Sequence, residues 1–324
     1  MKKIFLTMLV LCCAVAAKAQ NEAITAVLQH GDDVSVFAGM DAFIRAHEAA
    51  ADGDVITLSA GVFNAPTLSK SVSVYGAGFE KDESAGTDVT MIKGNLSIKP
   101  AETEIQTLHL EGLYVNASIL VGKADAVVKN MTITKCYVNG EIRFDGETAS
   151  TEISKCVING NVNGNRKNAE GLLICNCHLG TVNGFSAASQ VQVDHCIVLA
   201  DYGGANLWTN SLILTRYASS SGLGEGSVLY NCITFTNIRP NCVVENCYVV
   251  PLNEIFADGE NADYSADRTF ELKQPETWLG TDGTQVGLHG GKCWSKVPGT
   301  PVVKNMKVEV DGMTLKVNYD AEVR

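Results

Sequence analysis

The chain predicts an all-β fold: a single-stranded parallel β-helix with an N-terminal cap helix and a short C-terminal extension. Three observations carry this expectation. First, one phrase recurs, apolar–polar–turn-prone or charged–Cys–any–apolar, as ITKCYV (Ile133–Val138), ISKCVI (Ile153–Ile158), ICNCHL (Ile174–Leu179), VDHCIV (Val193–Val198), LYNCIT (Leu229–Thr234) and VENCYV (Val244–Val249). Second, cysteines 136, 156, 177 and 196 are spaced by about twenty residues, one coil of short strands per repeat. Third, the positions around the cysteine alternate at the period of a strand.

With the cysteine as position zero, position −3 is apolar in every copy: Leu110, Ile133, Ile153, Ile174, Val193, Leu229 and Val244. Position +2 is Val115, Val138, Ile158, Leu179, Val198, Thr234 and Val249, so it also faces inward. Position −2 (Glu111, Thr134, Ser154, Cys175, Asp194, Tyr230, Glu245) is mostly polar and faces outward. Position −1 holds Gly112, Lys135, Lys155, Asn176, His195, Asn231 and Asn246. Glycine, asparagine and histidine tolerate the left-handed region, which places a sharp turn there. A first copy, LEGLYV (Leu110–Val115), carries Leu113 in the cysteine column. A further apolar column at +6 contains Ile119, Ile142, Val162 and Ile238, and the Cys177 coil shifts it to Val182 at +5. The step from Cys196 to Cys232 is nearly doubled, so one coil there lacks the phrase or carries a long loop through Tyr202–Gly226. One rung cannot bury its own apolar face, whereas stacked rungs form a continuous core.

Along the chain, residues 1–19 read as an export leader. Lys2 and Lys3 are its basic region, Ile4–Val15 its apolar region and Ala17-Lys18-Ala19 a small-x-small cleavage site. Leu11 before Cys12 is not the small residue a lipoprotein processing site needs, so a lipid anchor is the less favoured reading. The expected localisation is secreted, periplasmic or outer cell surface. Residues 20–257 form the cap and helix. Within them Asp41–Ala51 reads as an amphipathic helix, capped by Asp41 and followed by Gly53. Val55–Leu58, Val72–Val74, Val89–Ile92 and Leu96–Ile98 read as strands. Residues 258–324 form a polar segment that could fold back over the last coil, then a hairpin, Met306–Val310 and Met313–Asn318, about Asp311-Gly312.

The net charge of −11 and the lack of a basic stripe exclude nucleic acid as the expected partner. No later stretch is long and apolar enough to span a membrane. Of 11 cysteines, Cys12 and Cys13 lie in the leader, leaving nine. An exported chain with many cysteines suggests disulfides. The column suggests instead stacked thiols acting as small hydrophobes.

The segments AGMDAFIRAHEAAADGDVITLSAGVF (Ala38–Phe63) and VSVYGAGF (Val72–Phe79) carry a more specific likeness. They resemble the N-terminal cap and first coils of pectate-lyase-like right-handed β-helix proteins, including secreted members from Bacteroidetes, and the likeness extends over roughly Ala38 to Val250. It implies a right-handed coil. It also implies a family that includes pectate, alginate and chondroitin lyases alongside proteins without assigned activity. Lyases of this kind neutralise a substrate carboxylate with calcium or with basic side chains.

Candidate chemistry follows from the columns. Lys135 and Lys155 stack on adjacent rungs, and with Arg143 and Arg216 they are the candidate basic residues for β-elimination on a uronic-acid polymer. The bland alternative is that Glu111 and Asp194 screen two solvated lysines. Calcium would matter only under the lyase reading, and no acidic cluster has calcium-loop spacing. No other cofactor and no metal site is expected; Cys175, Cys177 and His178 do not converge, because Cys177 faces inward. Position +1 (Tyr114, Tyr137, Val157, His178, Ile197, Ile233, Tyr248) is apolar although it faces outward. Either a later segment covers it, or Tyr114, Tyr137, His195, Tyr202, Trp208 and Tyr217 contribute to a glycan-binding face. The leading expectation is non-catalytic binding of a glycan or partner at the cell envelope. The alternatives are a polysaccharide lyase and a structural module of an envelope assembly.

Overall fold

The computed structural model describes residues 24–81, 88–200, 207–214, 226–234, 242–299, 302–311 and 314–322. The segment 1–19 read as a leader, Tyr202, Arg216, Tyr217 and Ile238 lie outside them. The chain is a parallel β-solenoid of about seven turns. Two long sheets run its length, each built from short strands paired rung to rung. The inward register of the first sheet is Leu110–Ile133–Ile153–Ile174–Val193–Trp208–Leu229–Val244, the −3 column of the repeat. The +2 column continues in the second sheet as Val115–Val138–Ile158–Leu179–Val198–Ile213–Thr234–Val249. Both columns are buried except at Val244 and Val249, on the last rung. The shift at Val182 is real: the register slips between Ile158 and Asn161, where Gly160 is extra.

The doubled step between Cys196 and Cys232 hides a further rung. Leu207–Thr209 and Leu212–Ile213 pair with the rungs on either side, with Ser211 in the cysteine column. Trp208 occupies the −3 position and is fully buried. The expectation that Trp208 sits on a loop as a sugar platform is therefore corrected: its indole fills the core.

The turn at −1 is as the columns require. Lys135, Lys155, Asn176, His195, Asn210, Asn231 and Asn246 all have φ between +48° and +54°. The turn directs the next residue's N–H along the solenoid axis, and the cysteine column satisfies it. The N–H of Cys156 donates to Cys177 Sγ (3.4 Å), that of Cys177 to Cys196 Sγ (3.4 Å), that of Cys196 to Ser211 Oγ (3.0 Å) and that of Cys232 to Cys247 Sγ (3.3 Å). Each thiol in turn reaches the carbonyl two residues before it, as Cys156 does to Ser154 (3.1 Å) and Cys177 to Cys175 (3.2 Å). Leu113 can stand in the first copy because the N–H below it, from Ala77, finds Thr90 Oγ1 instead (2.8 Å). A buried amide without a partner costs about 1–3 kcal/mol. The column therefore needs a small side chain with an acceptor, which cysteine and serine supply. The nine cysteines among the described residues are all thiols.

At the N-terminal end, Thr25–His30 and Asp33–Ala38 form an antiparallel hairpin that pairs with Val55–Leu58. Helix α1 (Ala42–Ala49) packs Ala42, Phe43, Ala46 and His47 inward against these strands. Asp41 makes no side-chain cap; its Oδ1 accepts from Asn64 Nδ2 instead (2.7 Å). At the far end the strands Val243–Glu245 and Tyr248–Val249 are exposed, with Val244 43% and Val249 55% accessible. The tail does not fold over this last coil as expected. It runs back along the side of the solenoid. The final strands, Val302–Asp311 and Thr314–Glu322, form a hairpin longer than expected, in which Asp311 pairs with Thr314 and so belongs to the strand, not to the turn.

Candidate functional site

The returning tail decides which surfaces are open. Its apolar residues Ile255, Phe256, Phe270, Leu272, Trp278, Val286, Leu288 and Trp294 build a second core. They cover Val157, Ile197, Leu212 and Ile233, which form the outward apolar +1 column. His178 belongs to this column too; it is 2% exposed and its Nε2 meets the Ala262 carbonyl at 2.7 Å. Tyr114 and Tyr137 stack face to face (4.8 Å, 3°) at the early end of the column, with Phe79 and Tyr264 beside Tyr137. Asn159 Nδ2 donates to the Tyr137 hydroxyl (2.7 Å). The apolar strip is thus largely an internal interface, as the first of the two sequence readings held.

Residues 279–299 descend the turn column one rung at a time. Asn231 Nδ2 donates to the Leu279 carbonyl (2.8 Å), and Asn210 Oδ1 accepts from the Thr281 N–H (2.7 Å). His195 Nε2 lies 3.2 Å from Thr284 Oγ1, and Asn176 Nδ2 donates to the carbonyls of Leu288 (2.9 Å) and Gly290 (2.8 Å). Lys292 pairs with Glu152 (3.2 Å), Lys296 with Glu80 (2.9 Å), and the Gly299 N–H donates to Glu111 Oε1 (2.6 Å). The same residues that tolerate the left-handed turn, asparagine and histidine, are therefore the ones whose side chains hold the tail.

His195 is 1% exposed. Its Nδ1 lies 2.9 Å from Asp194 Oδ2, and Gly290 and Gly291 pack on its ring so closely that a Cβ on either would collide. It is a clamp between rung and tail, and the expectation that it faces a ligand is corrected. Burial alone would raise the Asp194 carboxyl, but hydrogen bonds from His195, Thr209 and Asn210 hold it below its usual value.

Of the candidate basic residues that are described, Lys135 and Lys155 lie on adjacent rungs of the turn column and Arg143 lies on the second sheet. Lys135 Nζ pairs with Glu111 Oε1 (3.1 Å), and both side chains are at most 17% exposed. Burial would raise the Glu111 carboxyl. Hydrogen bonds from His109, the Gly299 N–H and Lys135 overcome this and bring it down to about 2. Lys155 is half-buried in the next turn, with its N–H on the Cys175 carbonyl (3.0 Å). Arg143 belongs to the second sheet, on Ile142–Phe144, where Asp145 clamps it through two bonds (2.8 and 3.0 Å) and Glu141 through one (3.2 Å). Each cation already has a carboxylate or a structural position, and no substrate carboxylate is needed to balance Lys135 or Arg143. Among the described residues no group of three or more His, Cys, Asp or Glu gathers into a metal site.

Among the described residues a cleft of about 380 Å³ opens on the outer face of the first sheet. Gly171, Leu172 and Leu173 form one wall, Ser189–Gln192 the next rung, and Leu207 the third. Leu173 and Leu207 are half-exposed in the column facing out from Gln192. Sequence reasoning missed this cleft because no phrase residue lines it. The signal that could have found it is the outward column at −4, where the polar Thr132 and Glu152 give way to Leu173, Gln192 and Leu207. The described lining offers an apolar floor, two amides and a hydroxyl, with no ionisable side chain.

The fold and the docked tail thus define a parallel β-solenoid whose lateral face is closed by its own C-terminal segment. Comparisons with protein-family models, with curated proteins and with solved structures found no match.

Proposed function

We propose that this is a non-catalytic glycan-binding protein of the cell envelope, exported by its leader and built on the pectate-lyase-like right-handed plan. The observation that carries the reading is the cleft at Leu173, Gln192 and Leu207. A volume of about 380 Å³ accommodates one or two sugar units, within the usual range of ligand clefts. Half-exposed leucines suit the C–H faces of a pyranose, and the Gln190 and Gln192 amides can both donate to and accept from its hydroxyls. The described lining carries no cation to pair with a uronate carboxylate, which favours neutral sugars. A structural role in an envelope assembly has one supporting observation, the uncovered last rung at Val243, Val244, Tyr248 and Val249.

The test is retention of neutral and uronate-containing polysaccharides on the immobilised mature protein, followed by titration with oligosaccharides of the retained polymer. Binding should be weakened at least tenfold by Gln192→Ala and by Leu207→Asp, and unaffected by Lys135→Ala. Parallel incubation of pectate, alginate and chondroitin sulfate, with and without calcium, should give no ultraviolet signal of an unsaturated product. A signal that Lys135→Ala or Lys155→Ala removes would replace the binding reading with the lyase. Failure of every neutral glycan to bind would leave the assembly role.

A further inference from the structure

The cysteine ladder is closed along most of its length and open at one end. We propose that Cys247 and Cys232 form a dithiol site, at that open end, that reacts with low-molecular-weight disulfides and closes to a Cys232–Cys247 disulfide.

Geometry comes first. The pairings Tyr230–Glu245 and Ile233–Tyr248 put the two cysteines level on neighbouring rungs. Parallel strands lie about 4.8 Å apart, inside the Cα separation of about 4.4–6.8 Å that a disulfide spans. The Cys232 N–H already donates to Cys247 Sγ at 3.3 Å, while the Cys232 thiol reaches the Tyr230 carbonyl at 3.4 Å.

Access separates this pair from the rest of the ladder. Cys136, Cys156, Cys177, Cys196 and Cys232 are fully buried, and the rungs stacked on them shut out any reagent. Cys247 is the ladder sulfur that is half-exposed, on the rung where Val244 and Val249 are also open. Reactivity runs the same way. Burial pushes the thiols of Cys136, Cys156, Cys177 and Cys232 up, whereas the neighbouring Cys232, through its side chain and its N–H, lowers that of Cys247 to about 7. The thiolate is the attacking form.

The reaction balances in two exchanges. Cys247 thiolate attacks one sulfur of a disulfide such as oxidised glutathione, forming a mixed disulfide and releasing one glutathione thiolate. That thiolate takes up a proton, and the Cys232 thiol, giving up its own proton, attacks the Cys247 sulfur and releases the second glutathione. Two protein thiols are oxidised, and one glutathione disulfide is reduced to two thiols.

Cys293 is exposed and would react on its own, so the experiment uses Cys293→Ser, which keeps eight of the nine thiols outside the leader. The folded protein is incubated with oxidised glutathione, quenched with acid and denatured. Its thiols are counted, and it is digested with a Glu-specific protease, which cuts between the two cysteines at Glu245; fragmentation of the linked peptides then tells Cys232 from Cys242, which is also half-exposed and lies on the same peptide. The expected result is the loss of two thiols and a peptide pair joined Cys232–Cys247. Adding Cys232→Ser should stop the reaction at one glutathione on Cys247, and adding Cys247→Ser should abolish both products. Serine is at home in this column, as Ser211 shows, so these variants should fold; circular dichroism checks that. The direct mapping in Cys293→Ser stands without them. Retention of all eight thiols, a stable glutathione adduct on Cys247, or a bond joining Cys247 to any other cysteine would overturn the proposal.

Discussion

A cysteine in the ladder answers two requirements at once, small volume and an acceptor for the amide of the rung before it. Cys156→Ser keeps both, because Ser211 Oγ already accepts the Cys196 N–H (3.0 Å) and donates to the Thr209 carbonyl (2.7 Å). We expect it to cost about 1 kcal/mol. Cys156→Asp buries an unpaired charge and should cost about 4 kcal/mol or prevent folding. Urea denaturation of the two variants side by side measures the difference, and similar midpoints would mean the column is wet. Glu111 gives the pH counterpart. Its folded value, about 2, lies below the ordinary 4.5. Its contribution is therefore complete above pH 4.5 and is lost as pH falls toward 2. Glu111→Gln should lower stability at pH 6 and bring its curve together with that of the unsubstituted protein by pH 2. Parallel curves across that interval would show that the contacts at Glu111 contribute nothing. The ladder was readable from the chain because identical residues repeat. Ser211 was not, because the pattern had been keyed to sulfur. Leu207–Ile213 fits the phrase once the column is defined as small with an acceptor.

At the scale of an element, the turn column and the tail depend on each other. Asn210 links the two more densely than any of its neighbours described above. Its Oδ1 takes the Thr281 N–H, its Nδ2 reaches Thr281 Oγ1 (3.2 Å) and Asp194 Oδ1 (2.9 Å), and its carbonyl accepts the Gly287 N–H (2.7 Å). Asn210→Gly removes the side chain without straining φ +53°. It should cost about 1–3 kcal/mol and speed hydrogen exchange at the Thr281 amide more than at the Cys177 amide. Equal effects on both would mean the tail and the rungs open as one unit. The left-handed turn itself was legible, since asparagine, glycine and histidine at one position say so. That these side chains also hold a segment 48 to 114 residues away was not. A contact between Asn210 and Thr281 leaves no periodic trace in either stretch. The pairing of Lys135 with Glu111 was legible as screening along the turn column, whereas the Gly299 N–H that shares the same carboxylate was not.

For the whole molecule, the tail substitutes protein for solvent along one flank. A chain ending at Val250 would leave Val157, Ile197, Leu212 and Ile233 bare, and contiguous apolar surface of this kind drives association. We expect that truncated protein to bind a hydrophobic dye strongly and to sediment as oligomers, while its far-ultraviolet spectrum keeps the β signature. A monomer that binds no dye would mean the second core is dispensable. The solenoid could be anticipated because each rung repeats its neighbour. That a later segment would cover the apolar strip could be anticipated as well, but the path of that segment could not, because Asp258–Gly299 is irregular and finds its shape only against the rungs.

The route of the chain has a mechanical consequence. It climbs the solenoid from Thr25 to Val249 and then descends outside it, so that Gly299 ends beside Glu111, with Pro298 against Gly112. The two ends of this body therefore leave from the same extremity, and the Cys247 rung lies at the remote one. A load applied between residues 24 and 299, by a tether or by neighbours fused at both ends, would fall first on the Gly299–Glu111, Lys296–Glu80 and Lys292–Glu152 contacts. The tail would peel upward one rung at a time, each contact yielding in turn, while the upper coils carried no tension until Asn231 let go. Held by one end alone, the same molecule would feel none of this. The position of the attachment, more than the strength of any rung, would decide how it gives way.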